Sequence, residues 1–136
     1  MREIKFRGKR KDNGEWIYGH LVKFKNTYYI LSETATHLDP FNTKLGYFFI
    51  EVDPKTVGQY TGSKDKNGRE IYEGDIVKAE GLISIRIRPV IFQNGMFCIP
   101  GECALLPLSE YAGEGNELEV IGNIYENPEL LKEVEK

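Results

Sequence analysis

The side chains suited to catalysis or metal binding are few and scattered. His20, His37, Cys98 and Cys103 are the only imidazoles and thiols. Zinc sites draw on such ligands in short paired spacings, Cys-x-x-Cys or His-x-x-x-His, and these four have none. A nucleophilic pair of Cys98 or Cys103 with His37 likewise has no local support, because an activated thiol needs its base within hydrogen-bond reach. Glu73 with Asp75, and Glu117 with Glu119, lie two apart and would share a face on a strand. With Glu110 and Glu114 nearby they read as a solvated acidic surface rather than as a glycosidase pair, whose defining separation is not visible in a sequence. For an enzyme, the remaining candidate is the long loop 33–46 with His37 and Asp39, although Asp39-Pro40 is a turn signal.

The stretch "TGSKDKNGREIYEGDIV" (61–77) has the glycine density of a ligand loop. A phosphate loop needs Gly-x-x-x-x-Gly-Lys-Ser/Thr running into a helix, but Gly62 and Gly68 are followed by Arg69-Glu70 and then a strand pattern. A calcium loop counted from Asp65 finds Asn67 at the third position but Gly68 at the fourth instead of the sixth. Asn67-Gly68 and Gly74-Asp75 therefore read as two reversals flanking "REIYE", where glycine supplies positive φ without a Cβ clash.

The elements that carry these residues are strands. In "LISIRIR" (82–88), Ile83, Ile85 and Ile87 alternate with Ser84, Arg86 and Arg88, and Pro89 places the strand at an edge or a bulge. "VIFQNGMFCI" (90–99) is a hairpin turning at Asn94-Gly95. "EIKFR" (3–7), "EWIYGHLVKF" (15–24), "TYYILS" (27–32) and "YFFIEV" (47–52) are aromatic and β-branched, which suits a pleated, half-buried surface. "VDPKTVGQY" (52–60) reads as a joint between two lobes. "NPELLKEVEK" is helical, with Asn127 as cap, Pro128 at the first position and Glu129 at the positive end. "NGEWIYGHLVKF" and "NGREIYEGDIVKA" echo each other if Glu73 is an insertion, as a shared turn-strand-turn-strand geometry would explain.

At 136 residues the chain has the size of one domain, and eight Tyr and seven Phe help to fill its core. It has no apolar run long enough to span a bilayer and no signal-like start, so a cytoplasmic protein is expected, with Cys98 and Cys103 as reduced thiols. The net charge of −3 divides into +5 over residues 1–25, −1 over 26–101 and −7 over 102–136. A basic end suits an acidic partner, including the acidic end of another copy. Arg2, Lys5, Arg7, Lys9, Arg10 and Lys11, beside Phe6, Trp16, Tyr18, Tyr28 and Tyr29, also hold the ingredients of a single-stranded nucleic-acid groove. The acidic pI of about 5.5 argues against that reading.

Three blocks carry a family resemblance: "REIKFRGKR" with Trp16, "VGQYTGSKDKNGREIYEGDIV", and "LEVIGNIYENPELL". In order and together they resemble the YopX family of phage and prophage proteins over nearly the full length. The resemblance implies a largely β protein with a barrel-like C-terminal part and a smaller N-terminal β lobe. It implies no enzymatic activity, cofactor or substrate, the family's function being unknown. The shared positions fall on Phe6, Arg7, Trp16, Thr61, Gly62, Asp65, Gly68, Ile71, Tyr72, Gly74, Asp75, Val77, Ile121, Gly122, Asn123 and Asn127, none with an assigned role. Segments 24–57 and 100–116 carry no family motif.

The expected fold is all-β, with an N-terminal β lobe over 1–57, a small β-barrel-like domain over 58–126 that "ELEVIG" helps to close, and a short C-terminal helix over 127–136 covering an open end or edge. Gly62, Asn67, Gly68, Gly74, Asp75, Asn94, Gly95 and Gly122 are expected at turns. No catalytic, cofactor or metal residue is assigned. The expected function is a non-catalytic interaction module of a phage or prophage, working in the bacterial host's cytoplasm through self-association or a protein partner. Single-stranded nucleic-acid binding by a β-barrel is the alternative, with Arg2, Lys5, Arg7, Lys9, Arg10, Lys11 and Trp16 as the contact residues of either.

Overall fold

The computed structural model describes residues 3–32, 49–80, 85–100, 105–107 and 117–132. The chain is mostly β, with antiparallel sheets and one short helix. It divides into two compact units, Met1–Gln59 and Tyr60–Lys136, a boundary inside the expected joint 52–60 and two residues beyond the expected lobe end at 57, and the C-terminal segment belongs to the second unit.

In the first unit, β1 (Phe6–Lys9), β2 (Trp16–Phe24), β3 (Thr27–Ser32) and β4 (Phe49–Val52) form a sheet in the order β4-β3-β2-β1. Beyond β1, Phe6 and Arg7 pair with Gln59 and Gly58. Alternation splits this sheet into two faces. Ile30 and Val52 are fully buried on one of them. A 3₁₀ turn, Pro54–Thr56, follows β4, with the Asp53 side chain accepting the Lys55 N–H. The Thr56 hydroxyl then accepts the Lys9 N–H at 2.9 Å, tying the turn to β1.

The second unit holds the rest of β5 (Gly58–Lys64), then β6 (Glu70–Tyr72), β7 (Asp75–Glu80), β8 (Ile85–Pro89), β9 (Ile91–Gln93), β10 (Met96–Pro100), β11 (Leu105–Pro107), β12 (Glu117–Asn123) and α1 (Glu129–Lys132). Ile71, Val77, Ala79, Val90, Ile99, Leu118 and Val120 form its buried core, with Phe97 packed against them. Burying such side chains contributes roughly 1.5–3 kcal/mol each.

Its strands form separate ladders, β12-β7-β8, β11-β10-β9 and β5-β6, and no closed barrel forms among the described residues. The expected barrel is thus replaced by open sheets, and Val90 shows one reason. Its N–H donates to the Asp75 carbonyl (2.8 Å) and its carbonyl accepts the Gly74 N–H (2.9 Å), so it is spent on the start of β7 where β8 gives way to β9. Pro89 closes β8 at the edge of its sheet, as its missing N–H demands.

The hairpin turn has φ of 55° at Asn94 and 75° at Gly95, both positive as a type I′ turn requires. Gly122, expected at a reversal, lies instead inside β12, where the pairing with β7 shifts between Val120 and Gly122. Gly62 likewise sits in a strand, at φ 87° within the irregular stretch of β5 between Tyr60 and Lys64. The echo between 13–24 and 67–79 is not a shared geometry. Gly19 lies within the continuous strand β2, whereas Gly74 occupies the turn between β6 and β7.

Among the described residues α1 has four, Glu129–Lys132, and it lies beside β8, an edge strand. No helix there is long and apolar enough to cross a membrane. The loop 33–46 with His37 and Asp39, and also Arg2, Cys103, Glu110 and Glu114, lie outside the described residues.

Candidate functional site

The glycine-dense stretch is organised around one carboxylate. Asp65 is 7% exposed. Its Oδ1 accepts the backbone N–H groups of Asn67 (2.9 Å) and Arg69 (2.8 Å), and its Oδ2 accepts that of Val120 (3.0 Å). Its own N–H donates to the Arg69 carbonyl at 2.7 Å, and its carbonyl accepts the Gly68 N–H at 3.0 Å. Burial on its own would raise the Asp65 pKa. The N–H groups of Val120, Arg69 and Asn67, helped by the Arg69 charge, outweigh it and hold the carboxyl below its ordinary value.

Val120 and Leu118 lie on β12, an edge strand. The Lys66 N–H donates to the Leu118 carbonyl at 2.9 Å. Two groups of the outer β12 edge are therefore satisfied by the 65–68 turn, one through a side chain and one through the backbone. Unpaired edge groups template association, so this turn blunts that side of the sheet. The anion and cation loops considered above do not fit: the oxygens of Asp65 face backbone donors rather than a cation.

A second knot holds the other end of the stretch. Gly74 adopts φ 93°, and its carbonyl accepts the Ile124 N–H at 2.9 Å. Asp75 is 1% exposed, and its Oδ2 accepts the Tyr72 N–H at 2.7 Å. The Asn123 Oδ1 accepts the N–H groups of Tyr125 (3.0 Å) and Glu126 (2.9 Å), shaping the turn before α1. Asn127 does not use its side chain as a helix cap. Its Oδ1 accepts the Asn123 N–H at 3.2 Å, while its carbonyl accepts the Leu130 N–H at 3.1 Å. A Cβ at Gly122 would lie 2.6 Å from that Oδ1, which is why the position takes glycine.

The other chemical candidates are not assembled. Glu73 lies in the turn ahead of β7, so the shared-face argument for Glu73 with Asp75 does not apply. Glu119 pairs with Lys66 at 3.3 Å. Cys98 is fully buried in β10, and His20 is exposed on β2 in the first unit. Among the described residues, no group of three His, Cys, Asp or Glu side chains is placed to hold a metal ion.

The basic N-terminal set is largely engaged within the first unit. Lys5 is buried and meets Glu3 at 3.2 Å. Arg7 is 3% exposed, its guanidinium 4.6 Å from the centre of the Trp16 ring, and the Lys9 ammonium lies 5.5 Å from the same ring. Arg10 grips Asp12 through two bonds of 2.9 and 2.6 Å, and Lys11 meets Glu51 at 2.9 Å. Each of those two pairs raises its cation's pKa, first through the hydrogen bond to Asp12 or to Glu51. Register explains the Trp16 cluster: Lys9 is opposite Trp16 and Arg7 opposite Tyr18, so all four share a face. The contact surface expected at Lys5, Arg7, Lys9, Arg10, Lys11 and Trp16 is thus mostly a self-neutralising one.

Sequence reasoning missed how much apolar surface stays uncovered. On β2, Trp16, Tyr18, His20, Val22 and Phe24 alternate onto one face, and β3 adds Leu31, Tyr29 and Thr27 opposite the last three. Phe24 is 64% exposed, and Tyr18, His20 and Val22 are exposed as well. In the second unit Ile85 (62%) and Phe92 (53%) are exposed, with Phe92 against Phe97 at 4.9 Å. The alternation was legible, but aromatic strands look the same in a sequence whether buried or open.

Lys64→Ala and Lys66→Ala test the structural reading of the stretch. Lys66 gives up its half-exposed pair with Glu119, and such pairs contribute about 0–1 kcal/mol. Both variants should unfold in urea within about 0.5 kcal/mol of the parent.

A family model described as "YopX protein" matches residues 5–132. No curated protein matches the chain. Among solved structures, the crystal structure of protein EF1440 from Enterococcus faecalis is similar, with a TM-score of 0.57 and 24% identity over 96% of this chain and 99% of that one. At that identity the likeness bears on fold alone.

Proposed function

The chain belongs to the YopX family, and we propose on that premise that it is a non-catalytic interaction module of a phage or prophage. It works in the host cytoplasm through self-association or a protein partner. One observation carries this reading: large apolar side chains stand open on strands, with Val22 and Phe24 adjacent on one face of β2 and Tyr18 beyond exposed His20 on the same face. Contiguous apolar patches mark interaction surfaces more often than isolated exposed residues do. Charge polarity supports it, since residues 1–25 carry +5 and residues 102–136 carry −7. The motif side chains of Asp65, Asp75, Asn123 and Asn127 accept backbone N–H groups and so serve the fold.

Sedimentation velocity over a range of concentrations at about 50 mM and about 500 mM salt tests self-association. The sedimentation coefficient should rise with concentration, and less so at high salt. A monomer under every condition sinks self-association and leaves the partner version to a pull-down from phage-infected cells, where recovery of the bait alone would end it.

A further inference from the structure

We infer that the open face of the β2–β3 hairpin binds single-stranded nucleic acid. It assigns a different occupant to the face that carries the protein-interaction reading, and it is separate from most of the basic residues of the N-terminal turn, which are occupied by their own neighbours.

Residues 16–32 contain no Asp or Glu, in a chain with 21 acidic residues, and hold Lys23, Lys25, His20 and five aromatic side chains. A polyanion that would be repelled by much of the surface meets no carboxylate along this hairpin. Tyr18, Val22 and Phe24 are exposed on one face, flanked by half-buried Trp16 and Tyr29. Neighbours on that face lie two residues apart along a strand, about 6.6 Å, so successive bases can each find a side chain of their own. Aromatic stacking tolerates any base because every base has a π-face.

Cations sit at both ends of the row. The Lys25 ammonium lies 5.6 Å from the Phe24 ring centre at the hairpin tip. Lys9 lies beside Trp16 at the other end. The carboxylate that shares this face, Glu51 opposite Tyr29, is paired with Lys11. Lysines beside aromatic rings, with an open strand face between them, complement a chain of alternating phosphates and bases.

Fluorescence anisotropy with a fluorescein-labelled oligo-dT of about 12 nucleotides is the test, that length lying within the usual single-strand site size. Saturable binding is expected, weakening about sevenfold to twentyfold from about 50 mM to about 200 mM salt, as two or three phosphate contacts require. Phe24→Ala should weaken it at least about fivefold. Lys9→Ala with Lys25→Ala should weaken it and flatten the salt dependence. Phe92→Ala, which removes a similarly exposed aromatic from the second unit, should leave it unchanged. Circular dichroism verifies that each variant is folded, and the lysine pair carries the test if Phe24→Ala is not. No binding at low salt, equal affinity in the Phe24 and lysine variants, equal affinity for duplex, or equally effective competition by poly-glutamate would each overturn the proposal. The last would point to an acidic protein segment instead. Because the self-association reading uses the same β2 face, the titration is run at protein concentrations where sedimentation shows a monomer, so that failure of one reading is distinguished from failure of the other.

Discussion

Gly74→Val is expected to lower the urea midpoint far enough to leave a substantial unfolded fraction at physiological temperature. Two costs add at this position. Its φ of 93° is a conformation that a β-branched residue adopts only under strain, about 1–3 kcal/mol. A Cβ there would lie 3.1 Å from Tyr125 Cε2, before the two γ-methyls are placed, and overpacking of this kind costs about 1–3 kcal/mol. The sum, about 2–6 kcal/mol, is a large share of the roughly 5–15 kcal/mol that holds a domain together. Position 74 cannot relax freely, because its N–H and carbonyl are both committed, to Val90 and Ile124. Equilibrium urea unfolding followed by tryptophan fluorescence and far-ultraviolet circular dichroism measures the loss. Gly74→Ala with Tyr125→Ala separates the two costs, since it relieves the contact and keeps the backbone strain. A midpoint unchanged in Gly74→Val would show that neither cost is real.

Asp65→Ala is the second large effect, about 2–4 kcal/mol. It strips the acceptor from three backbone N–H groups at once. Those of Asn67 and Arg69 can turn to water because both residues are exposed. The N–H of Val120 lies in a buried setting, where an unmet donor costs about 1–3 kcal/mol. Asp65→Asn should lie between, since it offers an amide N–H where a second acceptor oxygen is needed. The sign of the pH dependence follows from the depressed pKa. The folded protein holds this carboxyl below the unfolded value of about 3.9, so its contribution is present above that value and is lost as pH falls through the folded one. The gap between parent and Asp65→Asn, measured by urea unfolding, should therefore be widest near pH 7 and shrink at about pH 3. A gap independent of pH would mean that the ionised form is not what the backbone donors prefer. With the β12 edge no longer blunted, Asp65→Ala should also aggregate more readily on warming.

Much of the secondary structure was legible because its causes are local. β3 occupies the expected Thr27–Ser32, and β2, β7, β10 and β12 begin or end within a few residues of their apolar runs. Asn94-Gly95 reads as a hairpin turn because those two residue types tolerate positive φ at little cost. Glycine was harder to assign. Gly74 and Gly68 take positive φ at reversals, whereas Gly62 relaxes an irregular strand and Gly122 makes room for Asn127, and the residue type is the same in all four. Barrel closure was not legible either, since closure depends on which strand edges find partners across the fold.

The surface was the least legible part. Arg7 and Lys5 look like contact residues in a basic run, but both are buried. Phe24 looks like core and is open to solvent. In each case composition states what a side chain can do and is silent about what lies beside it.

Periodicity and turn chemistry, acting within a few residues, are enough to specify strands, reversals and the order of the three family blocks. The role of Asp65 needed the folded chain, because its Val120 partner is 55 residues away in sequence and is brought near only when β12 takes its place against β7. The same holds for the exposed hairpin face: whether an aromatic strand is core or platform depends on what else packs there, a property of no short segment.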